Sequence, residues 1–391
     1  MKLVRGLALL AFFAASAPAL ADFDACVAGL RGRAQAAGVS PETFAQTTQG
    51  LTPNDALSFL AHQPEFTTPI WDYIAGLVDE ERVADGAAAM RRYSAELNAA
   101  AQRFGVDVET IVGVWGVESN FGKGFGWRPI LQSLATLTCT PNRRQDFFRD
   151  EFIAALRIVE AGDVDPAEFK GSWAGAFGHT QFMPTTFLRM GVDMDGDGRR
   201  DIIGSVADAV GSTANFLRKH GWVPGDVWGF EVILPDNYNG PSGRKAKQPM
   251  SAWAARGIKR ADGEAMEGSA AGLLLPAGRN GPAFLVTRNF EALFSYNNAE
   301  SYALAIAHLS DRLRGQGPFV TAWPTDDPGL SREGRREVQT RLMRLGYDLD
   351  GKADGVMGTK TRAAIADYQT RAGMERNGRA GRKLLDALRG R

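Results

Sequence analysis

Residues 115–122, with the sequence Trp-Gly-Val-Glu-Ser-Asn-Phe-Gly, constrain the fold more than any other part of the chain. They predict the end of an apolar helix, which begins after Asp107, a good N-cap, and stops at Gly122, a good C-cap. Trp115 and Glu118 are three residues apart and therefore lie on the same side of this helix. The stretch thus predicts a helical domain with one carboxylate on an apolar stripe.

A carboxyl group on an apolar stripe loses hydration, so we expect the pKa of Glu118 to rise. A raised pKa suits a general acid that works near neutral pH. The plain alternative is a polar residue on the solvated edge of the helix. Periodicity alone favours this alternative, because solvated carboxylates are commoner than perturbed ones.

The N-terminal residues have the three parts of a secretory signal peptide. Lys2 and Arg5 are basic, residues 7–15 form an apolar run too short to span a bilayer, and a small-x-small cleavage site ends at Ala21. We therefore expect residues 1–21 to be a signal peptide and the mature chain to act in the periplasm. No later stretch predicts a transmembrane segment.

The only two cysteines are Cys26 and Cys139. The residues before Cys26 do not form a lipobox, so we expect an exported protein without a lipid anchor. In an oxidising compartment the two cysteines form a disulfide or remain two buried thiols, and the sequence leaves both open. With four scattered histidines they make no zinc pattern.

The length of 391 residues allows two or three domains. The balance of 45 basic and 45 acidic residues does not indicate a nucleic acid partner. The periodicity predicts a mainly α (α+β) protein. Helical patterns cover 24–37, 40–48, 68–103, 105–219 and 289–314, and short strands are expected at 230–235 and 283–287. The expected regions are a helical region at 22–318 with a β insert at about 223–288, a linker at 319–330, and a separate three-helix binding module at 331–391.

Residues 172–186 suit the lining of a cleft. Small residues there permit close backbone approach, and Gln181, Phe182 and Met183 offer an amide and two apolar surfaces. Sugars bind to such groups through their hydroxyls and their C–H faces. Tyr296 and Tyr302, near a helix start, would add to such a cleft. The plain alternatives are tight helix packing and a capped helix with half-buried tyrosines.

The run from Asp193 to Asp201 has the spacing of a calcium-binding loop. Asp193, Asp195 and Asp197 occupy positions 1, 3 and 5, and Gly198 occupies position 6. The usual glutamate at position 12 is replaced by glycine, so Asp208 is the candidate that closes the site. The alternative is a solvated Asp-Gly turn.

Taken together, these motifs resemble the lytic murein transglycosylases of the membrane-bound B family, which have a lysozyme-like core. The resemblance rests on the Glu-Ser-Asn-Phe-Gly run, on 172–186, on the Asp-rich loop, on 211–222 and on 296–302, which occur in the family's order. Residues 331–391 resemble the peptidoglycan-binding domain 1 module, with Leu-Gly-Tyr, Asp-Gly, Gly-x-x-Thr and Tyr-Gln in place.

The resemblance implies a site and a ligand set. It implies Glu118 as the catalytic acid, and as substrate-binding residues Ser172, Gln181, Phe182, Met183, Tyr296, Asn297 and Tyr302. It implies a structural Ca²⁺ or Na⁺ held by Asp193, Asp195, Asp197, the backbone carbonyl of Arg199, and Asp208. No organic cofactor is expected. Peptidoglycan glycan strands are the expected partner, with recruitment by cell-wall synthesis complexes, and we expect a monomer.

The implied reaction cuts the bond between N-acetylmuramic acid and N-acetylglucosamine without water and leaves a 1,6-anhydro sugar. Hydrolytic glycosidases use a second carboxylate, and the family does without one. Two alternatives stay open from the sequence. One is a hydrolytic muramidase on the same fold, and the other is a peptidoglycan-binding protein without catalytic activity.

Overall fold

The computed structural model of the protein describes residues 17–60 and 67–390. Residues 1–16 of the predicted signal peptide lie outside this part of the chain. The helices are α1 (Ala17–Gly29), α2 (Arg31–Ala36), α3 (Pro41–Thr48), α4 (Ile70–Leu77), α5 (Glu80–Arg92), α6 (Ser94–Phe104), α7 (Val108–Ser119), α8 (Ile130–Cys139), α9 (Gln145–Glu160), α10 (Pro184–Met190), α11 (Val206–Lys219), α12 (Met250–Ala254), α13 (Arg288–Asn297), α14 (Glu300–Leu313), α15 (Arg332–Arg344), α16 (Thr359–Arg371) and α17 (Arg382–Leu388). The strands are β1 (Arg128–Pro129), β2 (Lys170–Gly171), β3 (Gly229–Ile233), β4 (Lys259–Arg260), β5 (Gly272–Leu274) and β6 (Ala283–Val286), and Asp55–Phe59 is a short 3₁₀ helix.

The predicted mainly helical class is confirmed. Within the described residues, every helix is either too short or too polar to cross a bilayer. The chain divides into two compact units, which are described separately.

Of the described residues, the first compact unit comprises 17–60, Gly126–Phe177 and Phe182–Arg189. Its core forms where α8 packs on α9 and buries side chains such as Phe148 and Phe152. A disulfide joins Cys26 in α1 to Cys139 at the end of α8, with 5.8 Å between the two Cα atoms. The sequence left open whether these cysteines form a disulfide or remain two thiols, and the structure has the disulfide.

Of the described residues, the second compact unit comprises 67–125, Gly178–Gln181 and 190–390. In it α6 packs on α11, and α7 packs on α14. Every residue of α14 from Ser301 to Ser310 is buried. This helix is therefore a central element of the unit, and it determines where α7 lies.

The predicted β insert is an antiparallel sheet with the strand order β4-β3-β6-β5. Strands β3 and β6 are the two that the sequence predicts, while β4 and β5, of two and three residues, are too short to show a periodic pattern. One face of the sheet closes a small core that contains Trp253, Leu273 and Leu285.

Helices α15, α16 and α17 bury Val338, Leu342, Ile365 and Leu385 in a core of their own. The sequence predicts three helices in this module, and the structure has three among its described residues. A module of this size can be held together by such a core.

The predicted linker and the module are fastened to the rest of the second unit. In the linker the ring of Phe319 stacks on His308, with 3.8 Å between the ring centroids. Arg336 of the module pairs with Glu81 of α5, and Arg379 pairs with Asp72 of α4. Residues 319–330 therefore follow the protein surface over part of their length and do not form a free tether.

Three of the predicted helical segments are interrupted. The segment 68–103 consists of three helices, and at the first of the two breaks Asp79 caps α5 by accepting the N–H of Arg82 at 2.8 Å. The segment 289–314 breaks at Asn298, which has a left-handed backbone with φ of 54°. The stretch 172–183 holds turns and isolated bridges in place of the expected helix.

Candidate active site

Helix α7 begins and ends on specific side chains. The carboxylate of Asp107 accepts the hydroxyl of Thr110 at 2.6 Å and its N–H at 3.3 Å, which confirms the predicted N-cap. The C-terminal prediction is wrong by two residues, because the left-handed cap is Asn120, with φ of 50°. Asparagine tolerates this conformation better than most residues. Gly122 then continues the turn with φ of +83°.

Glu118 lies in the last turn of α7 and is half-buried. Trp115, on the same side of the helix, is only 2% exposed. The hydroxyl of Tyr302, in the first turn of α14, donates a hydrogen bond to Oε1 of Glu118. Glu118 is therefore partly shielded from solvent and has a buried hydrogen-bond donor beside it.

Tyr302 and Tyr296 form a stacked pair beside Glu118, with ring centroids 6.1 Å apart and planes at 24°. Burial, and next the charge of Glu118, raise the pKa of both phenols well above the usual 10. Both groups therefore keep their protons and act as hydrogen-bond donors. Tyr296 donates to the carbonyl oxygen of Thr180 at 2.9 Å.

His179 is a site residue that sequence reasoning missed. Its Nδ1 accepts the indole N–H of Trp115 at 2.9 Å. Burial lowers the pKa of His179 from its usual 6.5 to about 4, so the ring is neutral and able to accept. A Cβ at Gly122 would lie 2.4 Å from the ring, which explains why glycine is required there. The sequence signal that could have found it is Gly122, whose missing side chain leaves room for the ring.

The loop after α7 is held against residues 178–181 by a second set of bonds. The hydroxyl of Ser119 donates a hydrogen bond to the carbonyl oxygen of His179 at 2.8 Å and accepts one from the N–H of Gly122 at 3.1 Å. Gln181 donates to the carbonyl oxygen of Phe125 at 3.2 Å. These bonds fix the end of the helix that carries Glu118.

Five of the predicted active-site residues belong to the second compact unit: Glu118, Gln181, Tyr296, Asn297 and Tyr302. Gln181 has a left-handed backbone with φ of 49°, which its side-chain bond to the carbonyl of Gly178 at 2.9 Å supports. Asn297 is half-buried at the end of α13. Tyr296 and Asn297 lie at the end of α13, and Tyr302 lies at the start of α14. Three of the five residues therefore lie on the two sides of one turn.

Ser172, Phe182 and Met183 belong to the first compact unit. The hydroxyl of Ser172 accepts the N–H of Ala176 at 3.0 Å and shapes a tight turn. Phe182 is 2% exposed, so its ring is part of the core and offers almost no face to a ligand. Met183 is half-buried and fits the predicted contact with a sugar better.

The Asp-rich loop brings three carboxylates together. The nearest oxygens of Asp193, Asp195 and Asp197 all lie within 4.8 Å of one another. Asp193 accepts the N–H groups of Gly196 at 2.6 Å and Gly198 at 2.9 Å. Both glycines have positive φ, of 79° and 91°, which lets the chain turn sharply enough for alternate carboxylates to converge.

Asp208 lies outside this group of three. It is fully buried, and its two oxygens accept the N–H groups of Met194 and Asp201, each at 2.7 Å. Burial raises the pKa of its carboxyl, while these backbone bonds lower it. Asp208 therefore ties both ends of the loop to α11. The N–H of Arg199 donates to Asp197 at 2.8 Å, which holds Arg199 in the loop.

Comparisons with known proteins show which families the chain is similar to. The profile of the transglycosylase SLT domain family matches residues 22–311, and the profile of a peptidoglycan binding domain family matches residues 331–388. Membrane-bound lytic murein transglycosylase B of Escherichia coli is 34% identical over 273 residues, which cover 69% of this chain and 70% of that protein.

Two solved structures extend the comparison. SltB3 from Pseudomonas aeruginosa, in complex with NAG-anhNAM-pentapeptide, is 41% identical and superposes with a TM-score of 0.75, covering 94% of this chain and 99% of that one. The Escherichia coli lytic transglycosylase Slt35, in complex with calcium, is 29% identical with a TM-score of 0.65, covering 75% of this chain and 93% of that one.

Proposed function

This chain belongs to the transglycosylase SLT domain family, and from that premise we propose that Glu118 is its catalytic acid and base. The chain is an enzyme, a lytic transglycosylase that acts on peptidoglycan. The observation that carries the assignment of Glu118 is its hydrogen bond from the buried Tyr302, at the end of an apolar helix.

In the proposed reaction Glu118 starts protonated and donates its proton to the oxygen between N-acetylmuramic acid and N-acetylglucosamine. The bond from that oxygen to C1 of the muramic residue breaks, and the substrate's own acetamido group stabilises the cation. The carboxylate of Glu118 then takes the proton of the C6 hydroxyl while that oxygen bonds to C1. The products are a 1,6-anhydro end and a free hydroxyl, and no water is consumed.

The other residues would bind and orient the strand. Gln181 and Asn297 are amides suited to the acetamido groups, and Met183 and Tyr296 are suited to the faces of the sugar rings. Tyr302 would orient the carboxyl of Glu118 through its hydroxyl. Ser172 would contribute a polar group, and Phe182 would support the wall from the core, because it is almost fully buried.

A hard cation fits the Asp-rich loop. Three carboxylates whose oxygens converge within 4.8 Å carry a charge that a cation would neutralise, and oxygen ligands suit Ca²⁺ or Na⁺. Asp193, Asp195 and Asp197 would hold it, with the carbonyl of Arg199 and with Asp208 if its carboxylate turns from the backbone. The cation would stabilise the loop. Calcium should raise the melting temperature of the protein, and Asp195→Asn should remove that rise.

The domain assignments remain those that the sequence predicts. Residues 1–21 would direct export to the periplasm, and residues 22–318 would cleave the glycan strand. Residues 319–330 would link this catalytic region to residues 331–391, which would bind peptidoglycan. The match of a peptidoglycan binding domain family to 331–388 supports the last assignment. We expect a monomer without a lipid anchor, which cell-wall synthesis complexes would recruit.

Mass spectrometry of muropeptides released from purified cell walls tests the proposed chemistry. Products lighter by one water than their hydrated forms, with no reducing muramic end, are the expected result. Reducing muramic ends would identify a hydrolytic muramidase on the same fold. Glu118→Gln should abolish cleavage and leave the fold and strand binding intact, and an active Glu118→Gln enzyme would refute the role of Glu118.

A further inference from the structure

Trp127 is the most exposed large apolar side chain in the part of the chain that the structure describes, with 73% of its surface open to solvent. A single exposed apolar residue needs no explanation by itself. An indole face, however, is a large and rigid binding surface, and its surroundings decide whether it serves as one.

Trp127 is the outermost member of a row of flat groups. The guanidinium of Arg128 lies 4.6 Å from the ring centroid of Trp127 and 4.8 Å from that of Phe59. Phe59 in turn stacks on Trp173, with centroids 6.2 Å apart and planes at 25°. We call these four residues the aromatic platform, and all of them belong to the first compact unit.

An ion pair fixes the platform. Arg128 pairs with Asp55 through the two terminal nitrogens of its guanidinium, and this bidentate pair favours the position of the arginine between the two rings. The side chain of Arg128 is 13% exposed. The arginine beside Trp127 is therefore held in place before a ligand binds, which reduces the side-chain entropy that binding would cost.

The platform lies directly beside a predicted substrate-binding residue, Ser172. Strands β1 and β2 pair so that Arg128 is opposite Gly171. A Cβ at Gly126 would lie 2.2 Å from the carbonyl oxygen of Gly171 and 2.9 Å from the nitrogen of Ser172. The chain before Trp127 thus touches the segment that carries Ser172.

We propose that the aromatic platform is a glycan subsite, which binds a sugar of the strand away from the bond that is cut. This inference rests on the proposed function, which supplies the glycan strand as substrate. An exposed indole face suits the C–H face of a sugar ring, and the neighbouring arginine and serine suit its hydroxyls. A protein partner fits less well, because stable interfaces bury about 800 Å² on each side, and the other three members of the platform are half-buried.

A subsite away from the cut contacts only strands long enough to reach it. Its binding energy is the same before and in the transition state, so it lowers KM more than it raises kcat. Trp127→Ala should therefore lower the ratio of kcat/KM for long strands over that for short strands about tenfold, the usual effect of truncating an aromatic anchor.

The test compares the full-length protein with Trp127→Ala, Trp127→Phe and a control, Val320→Ala, whose side chain is 67% exposed in the linker. Each is assayed on purified long glycan strands and on a tetrasaccharide fragment, with the anhydro ends counted. Trp127→Phe, which keeps a ring, should restore most of the ratio, and Val320→Ala should match the wild type. Binding of long strands by Glu118→Gln should weaken by a similar factor when Trp127→Ala is added.

Each outcome decides. An unchanged ratio in Trp127→Ala overturns the subsite. An equal loss on long and short substrates also overturns it, since that result assigns Trp127 to the cleft or to the fold. Failure of the proposed function is distinguishable, because it would appear as cleavage by Glu118→Gln or as reducing ends in the wild type.

Discussion

Replacing Gly113 with alanine should weaken both the fold and the reaction. Gly113 faces α14 from the middle of α7, where the two helices are in close contact. A Cβ there would lie 2.5 Å from the hydroxyl oxygen of Ser310 and 3.1 Å from the carbonyl oxygen of Ile306. Ser310 is 1% exposed and donates to that same carbonyl at 2.8 Å. The helices must therefore separate, or Ser310 must rotate and lose its bond.

Two opposed effects determine how Gly113→Ala changes the free energy of unfolding: the higher helix propensity of alanine increases it, and the crowding of its methyl group against α14 decreases it. Alanine in a helix interior gains about 1 kcal/mol over glycine. Overpacking costs about 1–3 kcal/mol, and a lost buried hydrogen bond costs about 1–3 kcal/mol more. Gly113→Ala should thus destabilise the protein by about 1–5 kcal/mol. Because α7 carries Glu118 and α14 carries Tyr302, a shift of about 1 Å between them should lower kcat up to about 100-fold.

Urea denaturation and the rate of anhydro-muropeptide release measure the two effects. The control is Gly32→Ala, since Gly32 in α2 has open space around the position of a Cβ and should gain stability. Gly113→Ala combined with Ser310→Ala removes the closest contact and should recover part of both losses. Wild-type stability and kcat in Gly113→Ala would refute the claim that this contact sets the helix spacing.

Three further expectations follow from single contacts. Tyr302→Phe removes the hydroxyl that binds the catalytic carboxyl, so kcat should fall roughly 10- to 100-fold with little change in melting temperature, and an unchanged rate would contradict its role. The loop that the Cys26–Cys139 disulfide closes spans 113 residues, so replacing both cysteines with serine should cost about 3–5 kcal/mol of unfolding free energy in urea, with no effect of reductant on the variant. Burial lowers the pKa of His179 to about 4 and of His308 to about 3, both below the 6.5 of the unfolded chain. The contribution of the two neutral histidines to the free energy of unfolding is therefore complete above about pH 6.5. As the pH falls towards 4, the unfolded chain binds protons that the folded protein does not, so the free energy of unfolding should fall by up to about 1.4 kcal/mol per pH unit for each histidine. Equal free energies of unfolding at pH 7 and pH 5 would contradict this.

Local signals in the sequence were sufficient for features that depend on neighbouring residues. The N-cap at Asp107, the converging aspartates of the loop and the three helices of the module all follow from spacing within a short window. The β insert was found from its two longer strands.

Features that depend on distant residues could not be found this way. Packing determines whether Cys26 and Cys139 lie close enough to pair, that the Tyr302 hydroxyl reaches Glu118 across 184 positions, and that the ring of His179 lies against Trp115. The helix breaks at Asp79 and Asn298 were missed because the periodicity continues through them, while one capping carboxylate and one left-handed residue interrupt the backbone.

The contact between α7 and α14 explains how residues far from Glu118 help to position it. At one end of the pair Tyr302 binds Glu118, and at the other Arg314, at the end of α14, pairs with Asp107, the N-cap of α7. Arg314 also pairs with Asp311, whose second oxygen accepts the indole N–H of the β-insert residue Trp228 at 3.0 Å. Because both ends are bonded and the middle is in close contact, α7 has little freedom to slide or rotate along α14. The β insert is thus connected by a chain of direct contacts to α7, the helix that carries Glu118, although the insert lies far from that helix in the sequence.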